Sequence, residues 1–296
     1  MNRSQLAIAS MLIAGALVAA TSLFAKALGL PTASGAGLHP LQITAGRFVF
    51  AWFALALVLC GRPTIRPAFH NVHWRWHIFR VLCGWSGITC MFAAVNYMPV
   101  AEATAISFLS PLLTMLLSVL LLGEHLTARK LLAAAMALCG AALILQPDAS
   151  GLQPAGIMAL GSAVLMGIEA IFIKRLSDAE PGMQILFVSN SIGMIIALAA
   201  ASFVFTAPTG LQWLGLIALG TIMVTGQAFF IQSMKRGEAS FVMPAFYSVL
   251  LFAALYDLAI FGVVPSSVAI AGSVLIVAAA LLLAVKGSNN KPIDKL

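Results

Sequence analysis

Four ionisable residues lie inside long apolar stretches of this 296-residue chain: Lys26, Arg47, Glu169 and Asp257. A charge withdrawn from water is costly, so each is by default a candidate for function. Arg47 sits about nine residues into its stretch, roughly 12 Å from one end at 1.5 Å per residue. That depth fits a guanidinium that holds a solute carboxylate. It equally fits one arm of a structural ion pair, with Asp257 as the acid. Lys26 stands at the end of the first stretch, where its long stem can snorkel to water; with Arg47 and Asp257 it completes the candidates for a buried charge pair or coupling group. Glu169 lies in Met166-Gly167-Ile168-Glu169-Ala170, with no basic residue in the preceding turns. Two readings stay open for it. A carboxyl group in a desolvated cavity can contact an amine or carry a proton; an interfacial one would pair with Lys174 or Arg175.

The composition says what must position these groups. Hydrophobic residues make up 61% of the chain and charged residues 8%, against about 45–50% and about 25% in soluble domains. Mean hydropathy is +1.04. A soluble globular domain, a nucleic-acid binder and a disordered chain are excluded. A spanning helix needs about 20 mostly apolar residues. Ten stretches qualify, at about 6–28, 38–60, 78–97, 101–122, 128–146, 154–174, 182–205, 211–233, 239–261 and 266–286. Turn residues fill the linkers, among them Pro31, Gly61, Pro147-Asp148, Pro181-Gly182, Pro208 and Pro265. The first stretch is too long for a signal-peptide core and is read as a retained helix.

The surplus of seven positive charges tests that count. Arg3, Arg62, Arg66, Arg75, Arg80, Arg129, Lys130, Lys174, Arg175, Lys235, Arg236, Lys286, Lys291 and Lys295 fall on alternate linkers or termini. The opposite linkers hold none. Cytoplasmic loops collect Lys and Arg, so the expectation is ten transmembrane helices with both termini cytoplasmic, in a bacterial inner membrane.

A shift of 136 positions lays Glu102-Ala103-Thr104 on Glu238-Ala239-Ser240. It also lays the stripe Trp85, Thr89, Phe92, Asn96 on Thr221, Thr225, Ala228, Gln232. A shift of 148 lays Phe24-Ala25-Lys26-Ala27-Leu28 on Phe172-Ile173-Lys174-Arg175-Leu176. Each half, 1–148 and 149–296, then holds five helices. Because five is odd, the second half enters the membrane inverted. That plan puts a site near the midplane between the halves. The expected fold is all-α integral membrane, ten helices in two inverted five-helix repeats around a central cavity.

The run Asn96-Tyr97-Met98-Pro99-Val100-Ala101-Glu102-Ala103, with Leu109-Ser110-Pro111 and Leu120-Leu121-Leu122-Gly123-Glu124, resembles the drug/metabolite transporter superfamily, EamA type. Arg47-Phe48 and Lys26 match two further positions of that pattern. The resemblance implies a ten-helix exporter of amino acids or related small metabolites, similar to aromatic amino acid exporters. The chain departs from the pattern in span one, where Ala19-Ala20-Thr21-Ser22 stands in place of a Trp-Gly pair.

Polar groups and large rings on one helix face need partners in lipid, so they face the bundle or a wet cavity. On that ground Trp85, Thr89, Phe92 and Thr225 join Glu169 as cavity candidates. Pro111 and Pro244 interrupt spans four and nine, and Phe108 and Tyr247 within a turn of them are the aromatic candidates. The segment His70-Asn71-Val72-His73-Trp74-Arg75-Trp76-His77 puts three histidines on one helical face. Without acidic neighbours in sequence it reads as an interfacial anchor rather than a metal site. Cys60, Cys83, Cys90 and Cys139 read as small core residues. Glu124 is expected to contact Arg129, and Ala133, Ala137 and Ala141 to form a close-packed face, in a monomer or a homodimer. The chain has no Walker-type loop, no His-Glu-x-x-His and no Gly-x-Ser-x-Gly. No cofactor, metal or nucleic-acid partner is expected; the partners are a small-molecule substrate and the bilayer. The leading expectation is a secondary transporter working by alternating access. The alternative, a proton-coupled cationic drug antiporter, would rest on Glu169.

Overall fold

The computed structural model of the protein describes residues 2–29, 31, 36–62, 64, 67, 69, 72–95, 106–145, 154–262, 264 and 266–286. Among these, helices and no strands are found. The helices are α1 (Arg3–Gly29), α2 (Pro40–Gly61), α3 (Trp74–Val95), α4 (Ser110–Leu122), α5 (Ala128–Leu145), α6 (Pro154–Ala179), α7 (Gly182–Ala201), α8 (Gly210–Arg236), α9 (Ala239–Phe246), α10 (Ser248–Phe261) and α11 (Ser267–Lys286). Spans one to eight are α1 to α8, span nine is α9 with α10, and span ten is α11. The segments α1, α2, α6, α7, α8 and Ala239–Ile260 are each long and apolar enough to cross a membrane; Ser110–Leu122 and Ser267–Leu283 are shorter apolar helices.

Local chemistry sets the helix ends. Thr209 and Gln212 form a reciprocal capping box at the start of α8. Pro40 occupies the first turn of α2 and Pro111 that of α4, where the missing N–H has no helical partner to lose. Gly123 (φ 68°) and Gly262 (φ 67°) terminate α4 and α10 in the left-handed conformation that favours glycine. Span four turns at Phe108-Leu109 just before Pro111, and span nine breaks at Tyr247, three residues after Pro244. The expected proline interruptions are therefore present, with Pro111 opening a helix rather than kinking its middle.

Packing follows an approximate two-fold plan. Span one lies against span eight and span three against span six; span one also meets span nine, as span six meets span four. Spans two and seven, four and nine, and five and ten pair with each other. Every one of these pairs joins the first five spans to the last five. Close approach is made by small residues, the means by which helices associate in lipid. A β-carbon on Gly140 would stand 2.6 Å from the Gly272 carbonyl oxygen, and one on Gly193 would clash with the ring of Phe48 at Cε1. Ala133, Ala137 and Ala141 are buried with Ile276, Ala279 and Leu283. That stripe seals span five against span ten within one chain, so it is not a free dimer face.

Among the described residues, basic groups of the linkers are cross-tied at one end of the bundle. Lys130 ion-pairs with Glu238 and donates to Ser240 Oγ at 2.9 Å. Glu124 accepts the backbone N–H groups of Ala239 and Ser240, both at 2.8 Å, and so caps α9. Arg129 instead donates to the Leu282 and Leu283 carbonyls at the end of α11, which corrects the expected Glu124–Arg129 contact. Lys174 donates to the Met234 carbonyl at 2.8 Å, and Arg175 to that of Leu121 at 2.9 Å. At the other end Gln42 Nε2 donates to the Thr206 carbonyl at 2.6 Å, and Gln212 Nε2 to that of Ala36 at 3.0 Å. Cys60 and Cys139 are exposed on helix faces, and Cys83 and Cys90 are half-buried; none is a fully buried core residue.

Candidate functional site

Between the two halves lies a cavity with two lobes that share Arg80, Met166, Glu169, Met223 and Gln227. The polar lobe, about 130 Å³, is further lined by Arg47, Phe48, Gly84, Trp85, Ser189 and Asn190. The apolar lobe, about 180 Å³, reaches Val18, Ser110, Phe230, Met243 and Phe246. It therefore touches both helix breaks.

Among the described residues Glu169 on α6 is the only acid in this lining. Its carboxylate faces Arg80 on α3, with Oε1 3.8 Å from Arg80 Nε. Lys174 pairs with Asp178 at 3.0 Å and Arg175 with a backbone carbonyl, so neither neutralises Glu169, and the interfacial pairing is corrected. Arg80 is 3% exposed. It is more than a linker charge: it is a buried cation of the bundle that faces the cavity, and an i, i+4, i+7, i+11 stripe of His73, His77, Arg80 and Gly84 was the signal for it.

Arg47 on α2 also lines the polar lobe. Its guanidinium stacks over Phe48 at 4.6 Å from the ring centroid, a favourable cation–π geometry. The side chain of Asp257 lies outside the described residues, so the expected Arg47–Asp257 pair is left as a reading of the sequence. Lys26 is exposed in the last turn of α1, where a cation suits the helix C-terminus. It is not a buried coupling charge.

The remaining candidates divide. Trp85 lines the polar lobe, and its buried Nε1–H has no acceptor among the described residues. Asn190 Nδ2 donates to Gln227 Oε1 at 3.0 Å across the lobe. Thr89 and Thr225 are exposed, with hydroxyls closed on the carbonyls of Trp85 and Thr221 at 2.9 Å and 2.8 Å. Neither belongs to the lining: Thr225 lies on the opposite side of α8 from the lining residues, and Thr89 stands one turn beyond Trp85 at the edge of the lobe. The side chain of Phe92 lies outside the described residues, as does all of Asn96. Tyr247 is 1% exposed and packs on Phe108, ring centroids 6.2 Å apart. These rings brace the two helix breaks against each other. Their neighbours Ser110, Met243 and Phe246, rather than Pro111, Pro244 or the two rings, line the cavity.

A second polar cluster adjoins the first. Glu180, between α6 and α7, accepts the His73 backbone N–H at 2.7 Å and Gln184 Nε2–H at 2.8 Å. His73 Nδ1 and His77 Nε2 each lie 3.0 Å from its oxygens. Burial pushes the Glu180 carboxyl up, but these hydrogen bonds outweigh it and hold it below the usual carboxylate range. His77 is fully buried, which overturns the anchor reading for that residue. His73 stacks on Trp76, and Trp74 is exposed as an anchor should be. His70 and Asn71 lie outside the described residues. No group of three metal-ligating side chains occurs among the described residues.

Two stretches, residues 5–146 and 153–285, match the EamA-like transporter family. The chain belongs to that family: it is an integral membrane transporter, built from the family's repeat used twice. Its sequence is 28% identical over 198 residues to the pseudopaline exporter CntI of Pseudomonas aeruginosa, covering 66% of this chain and 70% of that protein. It is 25% identical over 251 residues to the S-adenosylmethionine uptake transporter of Rickettsia felis, covering 84% of each. Over 218 residues it is 28% identical to the riboflavin transporter of Rhizobium johnstonii, covering 72% and 71%. A solved structure titled "Crystal structure of protein" superposes with a TM-score of 0.75 at 20% identity, covering 94% of this chain and 95% of that one. The three named relatives are transporters of small molecules, one an exporter and one an uptake transporter.

Proposed function

We propose that the protein is a secondary transporter that exports amino acids, aromatic ones among them, or related carboxylate-bearing metabolites across the bacterial inner membrane. The observation that carries this reading is charge: among the described residues two guanidiniums, Arg47 and Arg80, stand against one carboxylate, Glu169, in the cavity lining. A net positive, largely desolvated site favours an anionic group and disfavours a cation. That counts against the cationic-drug alternative. Trp85 and Phe48 supply aromatic walls and an unused N–H donor, and Asn190 and Gln227 supply amides. Each lobe, about 130 Å³ and about 180 Å³, is smaller than the about 300–1,000 Å³ usual for ligand pockets; only together do they reach its low end, which suits a molecule of amino-acid size.

In this reading residues 1–148 and 149–296 are the two inverted units, and they rock about the cavity in alternating access. The basic end of the bundle faces the cytoplasm with both termini. The test is reconstitution in liposomes, screening amino acids, nucleosides and lipophilic cations with and without a pH gradient. Amino-acid flux that falls at least tenfold in Arg47→Ala is expected. Flux of lipophilic cations alone, driven by the gradient, would overturn the reading and promote the antiporter.

A further inference from the structure

The chemistry of the two clusters fixes the direction of every hydrogen bond joining them. An ionised Glu180 only accepts, so His77 Nε2, 3.0 Å away, carries a hydrogen. Arginine only donates, so the short Arg80–Ser189 bond runs from Nη1–H to the hydroxyl oxygen. The Ser189 hydrogen is then left to donate to His77 Nδ1, 3.2 Å away. One neutral tautomer of His77 thus satisfies the whole chain Arg80–Ser189–His77–Glu180. The charged and titratable groups around it are His73 just before its own helix, Arg80 on it, Glu180 from the α6–α7 connection, and Glu169 from α6 beyond Arg80. The neighbouring α7 brings Ser189 and Gln184 and carries no charged residue.

We propose that His77 is a positioning residue that links solute binding to a proton taken up at the basic end of the bundle. This rests on the carboxylate reading of the cavity. An anion entering the polar lobe pairs with Arg80, offsets its charge and draws it off Ser189. The vacated hydroxyl oxygen then accepts Nδ1–H of a protonated His77, whose Nε2–H stays on Glu180. Both effects, the loss of a neighbouring cation and the gain of a hydrogen bond, have the same sign: the anion-bound form holds the proton more tightly. Linkage is reciprocal, so protonation tightens carboxylate binding. His73, whose side chain is 41% exposed beside Glu180, gives the proton its way in.

Two measurements test this in the full-length protein. The first is binding of L-phenylalanine by calorimetry in two buffers of different ionisation enthalpy. A net proton uptake on binding is expected, with affinity rising by no more than about tenfold per pH unit of acidification for one proton. In His77→Gln the uptake should vanish while binding persists at high pH. Equal uptake in His77→Gln would overturn the proposal. The second needs no solute: the His77 imidazole is titrated by ¹⁵N resonance in the empty protein. The Nε2–H tautomer is expected at high pH, and the midpoint should rise in Arg80→Gln or Arg80→Leu, which remove the neighbouring cation. An unmoved midpoint in both variants overturns the linkage, whatever the solute proves to be. A raised midpoint with no amino-acid binding would instead indict the carboxylate reading.

Discussion

A β-carbon placed on Gly84 would stand 2.9 Å from Glu169 Oε2 and 3.0 Å from its Cδ. The carboxylate of span six therefore rests against bare backbone of span three, and only glycine leaves it that seat. The obstruction in Gly84→Ala is the end of a flexible side chain, so the carboxylate swings aside while the helices stay in place. Expected stability change is within about 1 kcal/mol, with flux reduced about tenfold or more. Thermal unfolding and liposome flux measured on the same preparation decide it; losses of stability and flux in equal step would reduce Gly84 to packing.

The crossing of spans five and ten makes the opposite prediction. A β-carbon on Gly140 would meet the Gly272 carbonyl oxygen at 2.6 Å, and one on Gly272 the Gly140 oxygen at 2.5 Å. Backbone cannot swing away, so the two helices must part. Each Gly→Ala change is expected to cost about 1–3 kcal/mol, the usual range for overpacking. The double variant should cost less than the sum, since one separation accommodates both methyl groups. Strict additivity in unfolding measurements would mean that the two sites relax independently.

Acid should loosen the basic end of the bundle first. Burial pushes the Glu124 carboxyl up, but its hydrogen bonds from Ser240 and Ala239 prevail and hold it low; Glu180 is held low in the same way. A carboxyl whose folded value lies below its unfolded one contributes stability above the unfolded value of about 4.3, lost as pH falls through the folded value. Melting temperature should therefore be flat near neutrality and fall at pH 4 and below. Glu124→Gln, which removes the charged cap of α9, should lower the melting temperature at pH 7 and flatten the acid decline. Glu180→Gln should do the same without touching α9, and hydrogen exchange of the Ala239 and Ser240 amides separates the two.

Much of the architecture was legible because a bilayer imposes simple rules. Length and apolarity marked the spans, the alternation of basic residues predicted which linkers share an end, and Pro111 and Pro244 marked the breaks beside the cavity. Glu169 stood out because an unaccompanied carboxylate is hard to explain otherwise. Its partner did not stand out. Arg80 lies near enough to a linker to pass as a topology charge, and Glu180 and His77, 103 positions apart, give no local sign of meeting.

What the sequence by itself determined is the class of protein, the order of its spans and, Arg80 apart, the charges to be explained within them. Only the tertiary structure decided which charges meet: Glu169 with Arg80 rather than Lys174, His77 with Glu180 rather than the membrane surface, and Thr225 turned from the cavity. The physical reason is that lipid and protein interior are both apolar, so hydrophobic periodicity does not reveal which face of a span is buried. Rotation of each helix is set instead by where glycine and alanine let backbones touch, at Gly84, Gly140, Gly193 and Gly272, and those contacts exist only between partners far apart in the chain.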